Sequence, residues 1–202
     1  MPIEKHLFDL QLDDDVCAVI IDSTDKKLGI ALLKGKETFV YLGGDIERRH
    51  TAEILTALDQ VLASAKLSIS DITVIGCVIG PGSFTGIRIG VATCNAIAYA
   101  NSIKIIEITS LETLICDRDR GLALIDCKNN NYYALIKDGT LTYTALNIDE
   151  IKNIPFTPVY RVSFDAKKAC ATFINKYKNQ NFSKISKPFY IKKSSADGSI
   201  LT

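Results

Sequence analysis

Two segments of the chain, IDSTDKKLGIALLKG (21–35) and IDCKNNNYYALIKDG (125–139), align without a gap, so that Asp22 falls on Asp126 and Gly35 on Gly139. Each is an apolar run ending in Ile-Asp, a polar turn, and a returning apolar run closed by glycine, which is the pattern of a strand hairpin. ETFVYLG follows the first and TLTYTAL the second, so a third strand repeats as well. A repeat of this kind restricts the chain to two related sheets. The boundary is expected near Asp117 to Arg120. Residues 1–14 then form an N-terminal extension, dispensable for folding, before a first domain (15–117) and a short second domain (118–202).

Between the repeats the hydrophobic period changes. In RRHTAEILTALDQVLASA, the residues Ile54, Leu55, Leu58, Val61, Leu62 and Ala65 share one helical face and predict a helix over 49–65. ITVIGCVIG suits a buried strand, TGIRIGVATCNAIAYAN a helix over 85–100, IKIIEIT another strand and SLETLICD a short helix. The order β-β-β-α-β-α-β-α is an α/β layer fold with a mixed sheet. In the second domain, IDEI, FDAKKACATFINKYK and PFYIKK leave room for two helices and a strand or two.

Composition narrows the chemistry. Hydrophobic residues make up 47% of the chain, enough for a real core. No apolar run approaches the ~18–20 residues of a bilayer span, and the first residues lack the plan of a signal peptide, so a cytoplasmic protein is expected. With two histidines, His6 and His50, the paired-histidine metal motifs are excluded, and the six cysteines contain no C-x-x-C pair. Residues 161–202 carry nine Lys or Arg against Asp165 and Asp197, although the whole chain is only +1. That segment reads as a solvated lysine-rich surface or as a contact to nucleic acid phosphates.

GPGSFTGIRIG (80–90) joins the fifth apolar run to the second helix. It lacks the Lys-Ser/Thr of a P-loop, the spacing of a dinucleotide fingerprint and that of a nucleophile elbow. A Gly-Pro-Gly turn remains, with Ser83 or Thr85 able to cap the helix; it is either an anion cradle or a tight connector. Asp22 and Asp126, at strand ends, are either turn formers or carboxylates for a hydrated Mg²⁺. The candidate anion loops are therefore Asp22, Ser23 and Thr24 with Gly82, Ser83 and Thr85. The second half contains only Gly121, Gly139 and Gly198 and no glycine-rich loop to approach an adenosine.

GSFTGIRIG after an apolar strand, DST at the end of the first strand, RRHTAEIL opening the first helix and PFYIKK near the C-terminus together resemble the bacterial TsaB family. The resemblance implies an actin-like (ribonuclease H-like) duplicated fold. It also implies a non-catalytic dimerisation subunit of the complex that makes threonylcarbamoyladenosine beside the tRNA anticodon. The implied partners are a catalytic paralogue, TsaD, an ATPase, TsaE, and tRNA through the complex. A homodimer is expected when the chain is alone. No cofactor of its own is implied; ATP and metal belong to the partners, with a nucleotide possible at the partner interface. Ile-Lys stands where the family has Leu-Arg after Pro-x-Tyr. The alternative is an enzyme acting by itself, an ATPase, kinase or peptidase of actin-like fold.

A scaffold needs a face. Around the second helix, Arg88, Ala92, Asn95 and Tyr99 form one narrow ribbon and nearly everything else is small or apolar. Gly86, Gly90, Cys94 and Ala98 make a small-residue row expected to face a partner helix, with Thr93 and Ile97 beside it. Ala52, Thr56 and Ala63 give the first helix a matching face.

Overall fold

A computed structural model describes residues 3–10, 12–45 and 50–191. The first sheet has six strands. β1 (Glu4–His6), β2 (Cys17–Asp22), β3 (Lys27–Lys34), β4 (Glu37–Asp45), β5 (Val74–Val78) and β6 (Lys104–Ile108) are ordered β1-β4-β3-β2-β5-β6. The second contains β7 (Arg120–Asp126), β8 (Asn131–Asp138), β9 (Thr140–Asn147) and β10 (Pro158–Tyr160), ordered β10-β7-β8-β9. β2, β3 and β4 are an antiparallel meander with β5 parallel to β2; β7, β8 and β9 repeat it with β10 parallel to β7. The duplication expected from the two Ile-Asp hairpins is thus a duplication of topology.

Helices α1 (His50–Ser64) and α2 (Phe84–Asn101) cover one face of the first sheet, where Ile54, Leu58, Val61, Ile87, Val91 and Cys94 join its core. The expected starts differ slightly. Ser83 is the N-cap of α2, accepting from Gly86 N, so the helix begins at Phe84. Arg48 and Arg49 lie outside the described residues, as do Lys192 and Lys193 of PFYIKK.

The opposite face of the first sheet is covered from the far end of the chain. α5 (Ala166–Lys178) inserts Ala169, Cys170, Phe173 and Ile174, together with Phe164, against Ala18, Ile20, Ala31, Val78 and Ile106. Gly29 and Gly76 make room for the Phe164 and Phe173 rings. A division at 117 therefore separates the two sheets but not the two packing units, because α5 belongs by sequence to the second half and by contact to the first.

The short helix α3 (Ser110–Leu114), with a Thr109–Glu112 capping box, packs reciprocally on the second sheet through Leu111, Leu114 and Ile115. α4 (Ile148–Lys152), opened by Asn147, offers only Ile151 to the other face of that sheet, joined by Ile154 and Phe156. Among the described residues, neither α1 nor α2 has a long counterpart there.

Residues 1–14 are not the spare extension the sequence suggested. β1 pairs antiparallel with β4, Leu12 is 3% exposed, and Phe8 and Leu10 pack on the core beneath α5. The basic segment is partly internal too. Arg161 pairs with Asp22, Lys168 donates to Leu114 O at 3.0 Å, and Lys176 pairs with Glu112 at 2.8 Å and donates to Glu107 O at 2.9 Å. These cations tie the C-terminal segment to the acidic first half. Among the described residues, no helix is long and apolar enough to cross a membrane.

Candidate functional site

The GPGSFTG turn sits directly on the end of β2. Ser83 N donates to Thr24 O at 2.7 Å and Ser23 Oγ donates to Gly86 O at 2.8 Å. A Cβ on Gly82 would overlap the Thr24 carbonyl oxygen, one on Gly86 the Ser23 carbonyl oxygen, and one on Gly90 the Ser23 hydroxyl. The glycines are there so that a helix can lie against the Asp-Ser-Thr turn. Ser23 and Thr24 are buried and bonded within the chain. Of the six anion candidates, only Gly82, Ser83 and Thr85 keep appreciable exposure.

This packing corrects the expected partner row. Gly86 and Gly90 are buried, Cys94 is 0% and Ile97 5% exposed, and all four turn inward because α2 must approach β2 closely. The outward face is the neighbouring one. It includes Phe84, Ala92, Ala96 and Tyr99 on α2, with Thr93 half-buried, and Leu55, Thr56, Asp59, Gln60 and Ala63 on α1. Tyr99 is 91% and Leu55 50% exposed. Arg88 is the single charge on α2, and its guanidinium stacks 3.9 Å from the centre of the Phe84 ring.

The C-terminal segment straps α2 in place. Asn95 clamps Ser186 with both ends of its amide, accepting from its N–H at 2.8 Å and donating to its carbonyl at 3.0 Å. Phe189 N donates to Ile79 O at 2.9 Å, and the Tyr190 ring lies 5.6 Å from Phe84. Asn95, read from its spacing as part of one narrow ribbon with Arg88, Ala92 and Tyr99, is a strap anchor.

The second feature is the cleft between the sheets, about 390 Å³, lined by Thr24, Asp25, Lys26, Gly82, Ser83, Asp126, Lys128 and Arg161 among others. The two repeat aspartates meet it differently. Asp22 Oδ1 accepts Thr24 N at 2.9 Å and Thr24 Oγ1 at 2.7 Å, and Oδ2 accepts Arg161 Nη2 at 2.7 Å. Arg161 Nη1 also donates to Thr24 Oγ1 at 2.7 Å. The Thr24 proton points to Asp22, so Ser110 Oγ, 2.9 Å away, is the donor to Thr24. Asp126 is exposed and holds its own turn by accepting Lys128 N at 2.7 Å. A hydrated divalent cation does not fit at Asp22, whose oxygens are both engaged.

Sequence reasoning missed Arg161; its only trace was membership of the basic segment. Burial pushes the Cys17, Cys116 and Cys170 thiols up, and a hydrogen bond with Cys94 together with burial does the same for Cys77, which leaves none of these four primed as a thiolate. Among the described residues, no three His, Cys, Asp or Glu side chains are placed to hold a metal ion.

Two sheets of one topology, with the last helix of each half packed on or beside the other, define the class: a duplicated actin-like protein. Residues 42–198 match the family described as TsaD, tRNA N6-adenosine threonylcarbamoyltransferase, and the chain belongs to that family. Its curated relatives include two TsaB proteins, each named for tRNA threonylcarbamoyladenosine biosynthesis. That of Haemophilus influenzae is 28% identical over 56% of this chain and 50% of the relative. That of Bacillus subtilis is 33% identical over 46% and 41%. The chain spans about half the length of these relatives. A solved Pseudomonas aeruginosa structure, described as uncharacterised with similarity to the peptidase YeaZ, covers 88% of this chain and 100% of its own. Its TM-score is 0.73 at 18% identity, which establishes the fold. The resemblance to TsaB read from GSFTGIRIG and DST agrees with these relatives.

Proposed function

We propose that the chain is the non-catalytic, TsaD-binding subunit of the machinery that forms threonylcarbamoyladenosine in tRNA. The observation that carries this reading is the outward face of α1 and α2, where Leu55, Thr56, Ala63, Ala92, Ala96 and Tyr99 are exposed beside Arg88, which stacks on Phe84, and Asp59. A face of mostly small and apolar residues with one charge of each sign is suited to helix packing. A paralogue of the same fold offers equivalent helices, and two such faces meet about a two-fold axis. The same face pairs two copies of this chain when the paralogue is absent. A TsaE-like ATPase and tRNA join through that complex, and ATP, metal and any nucleotide at the interface are held by the partners. The closed state of the cleft at Asp22 supports a role without nucleotide chemistry of its own.

The test uses the outward face, since Gly90→Leu would drive a side chain into Ser23. In Thr56→Arg/Ala92→Arg, circular dichroism is expected to stay native. Affinity for a TsaD-like protein is expected to fall by about thirtyfold or more, the effect of placing charge in the centre of an interface. Unchanged binding by the folded variant would refute the assignment.

A further inference from the structure

An actin-like fold with an aspartate at the end of each repeated hairpin implies a divalent cation and a phosphate chain between the lobes, and the residues at Asp22 do not accommodate them. We propose that Arg161 is the cleft's own counter-cation. Its guanidinium takes the place at the Asp22 carboxylate that a hydrated metal would take, and so latches the two lobes together without metal or nucleotide.

The placement follows from topology. β10 runs parallel to β7, and Arg161 N donates to Leu124 O at 3.1 Å, so the residue that follows β10 is delivered to the end of the second sheet that faces β2. The Arg161 and Asp22 side chains are 8% and 6% exposed. A magnesium ion keeps several of its waters in such a site, and these two groups leave no room for them. Guanidinium suits the position where ammonium would not, because its planar fork reaches carboxylate and hydroxyl at once. Here one nitrogen meets Asp22 Oδ2 and the other Thr24 Oγ1, both at 2.7 Å.

The surrounding charge is already balanced. Lys26, Lys128 and Arg161 line the cleft with Asp25 and Asp126, Arg161 pairs with Asp22 behind it, and Arg161 Nε lies 3.7 Å from Asp25 Oδ2. Ser110, the first residue of α3, completes the network from the connection between the sheets. The latch therefore joins Asp22 and Thr24 at the end of β2, Ser110 at the start of α3 and Arg161 just after β10.

The test compares wild type with Arg161→Met, which keeps length and removes charge, and with Asp22→Asn/Arg161→Met. Amide hydrogen exchange over 22–26, 126–130 and 159–161 is expected to rise by more than about tenfold in Arg161→Met. It should fall back toward wild type in the double variant, because breaking one side of a buried pair costs more than replacing both. Amides of α1 and α2 should not change. In parallel, manganese with and without ATP is titrated by electron paramagnetic resonance. Wild type is expected to hold neither at Asp22, whereas Arg161→Met gains manganese affinity that the double variant lacks. Should Arg161→Met fail to fold, Arg161→Lys, which keeps the charge and loses the fork, is read in the same way with a smaller rise. Asp22-dependent binding of manganese–ATP by the wild-type chain would overturn the proposal. So would exchange and manganese binding in the variant indistinguishable from wild type.

Discussion

The two hairpins of the repeat start from the same Ile-Asp and end in different environments. In the first, Asp22 pairs across to Gly29 and the turn is buried under α2. In the second, Asp126 pairs to Tyr132, one step tighter than the alignment implies, and Lys128, Asn129 and Asn130 all adopt positive φ to close it. Asparagine tolerates that region better than most residues, so the sequence KNN is itself the reason for the tighter turn. The difference between the halves is what covers them. The first sheet is packed on both faces and has its outer edge paired by β1, whereas among the described residues the second has α3 on one face, little more than α4 on the other, and β9 unpaired at its edge. A duplicated fold has thus kept one half as a platform for helices and reduced the other to a brace that holds the joint.

The strongest way to break this comparison is at the helix approach that the second half lacks. Gly86→Ala would place a methyl group on the Ser23 carbonyl oxygen, a backbone atom that cannot rotate aside. The expected cost is at least about 4 kcal/mol, among the largest single-residue effects. Urea denaturation would read it as a large fall in midpoint, or no folded protein would be recovered. Gly121→Ala, whose nearest neighbour is the Arg118 side chain at 3.5 Å, serves as the matched change in the second sheet and should cost little. Equal stability of the two variants would show that α2 does not need its close approach.

How much of this was legible depended on whether the signal was local. The strands, the long helices and the repeat follow from apolar period and from Ile-Asp and Gly at fixed places, all within a few residues of one another. The orientation of α2 was not legible, because Gly86 and Gly90 read equally as room for a partner helix or for the chain's own backbone. Only the position of Ser23, distant in sequence, decides which. Arg161 was hidden for the same reason: a lone arginine after a three-residue strand has no pattern, and its partner Asp22 lies in the other half. The role of residues 1–14 was misread because the acidic run Asp13 to Asp15 suggests a solvated tail and outweighed the alternation of Phe8, Leu10 and Leu12, which is the period of a half-buried extended arm.

That arm gives the next effect in size. Deleting residues 1–14 removes β1 from the free edge of β4 and takes Leu12 from the core, for an expected loss of about 2–4 kcal/mol, comparable with emptying one large buried site. At the equivalent edge of the second sheet there is no arm to lose among the described residues. Leu141→Ala on β9, 48% exposed, should cost less than about 1 kcal/mol. Thermal unfolding of the two variants measures the contrast directly. An arm deletion as mild as the β9 change would mean that β1 and Leu12 pack without contributing to stability.

The smallest effect tests where the halves should remain alike. Gly35 and Gly139, matched by the repeat, both sit at hairpin tips with φ of +57° and +73°. Space does not distinguish them: the nearest atom to a Cβ on Gly35 is Asp14 Oδ1 at 3.4 Å, and nothing lies within 4 Å of one on Gly139. The remaining cost is the left-handed backbone, about 1–2 kcal/mol for a residue with a side chain. Gly35→Ala and Gly139→Ala are therefore expected to lower stability by the same amount, within about 0.5 kcal/mol of each other. Gly→Asn at either tip should recover part of that loss, since asparagine tolerates this conformation. A cost confined to Gly35 would show that the tips, and not only the coverings, have diverged between the two halves. In that case the second hairpin would be held less firmly than its eight paired residues along β9 imply.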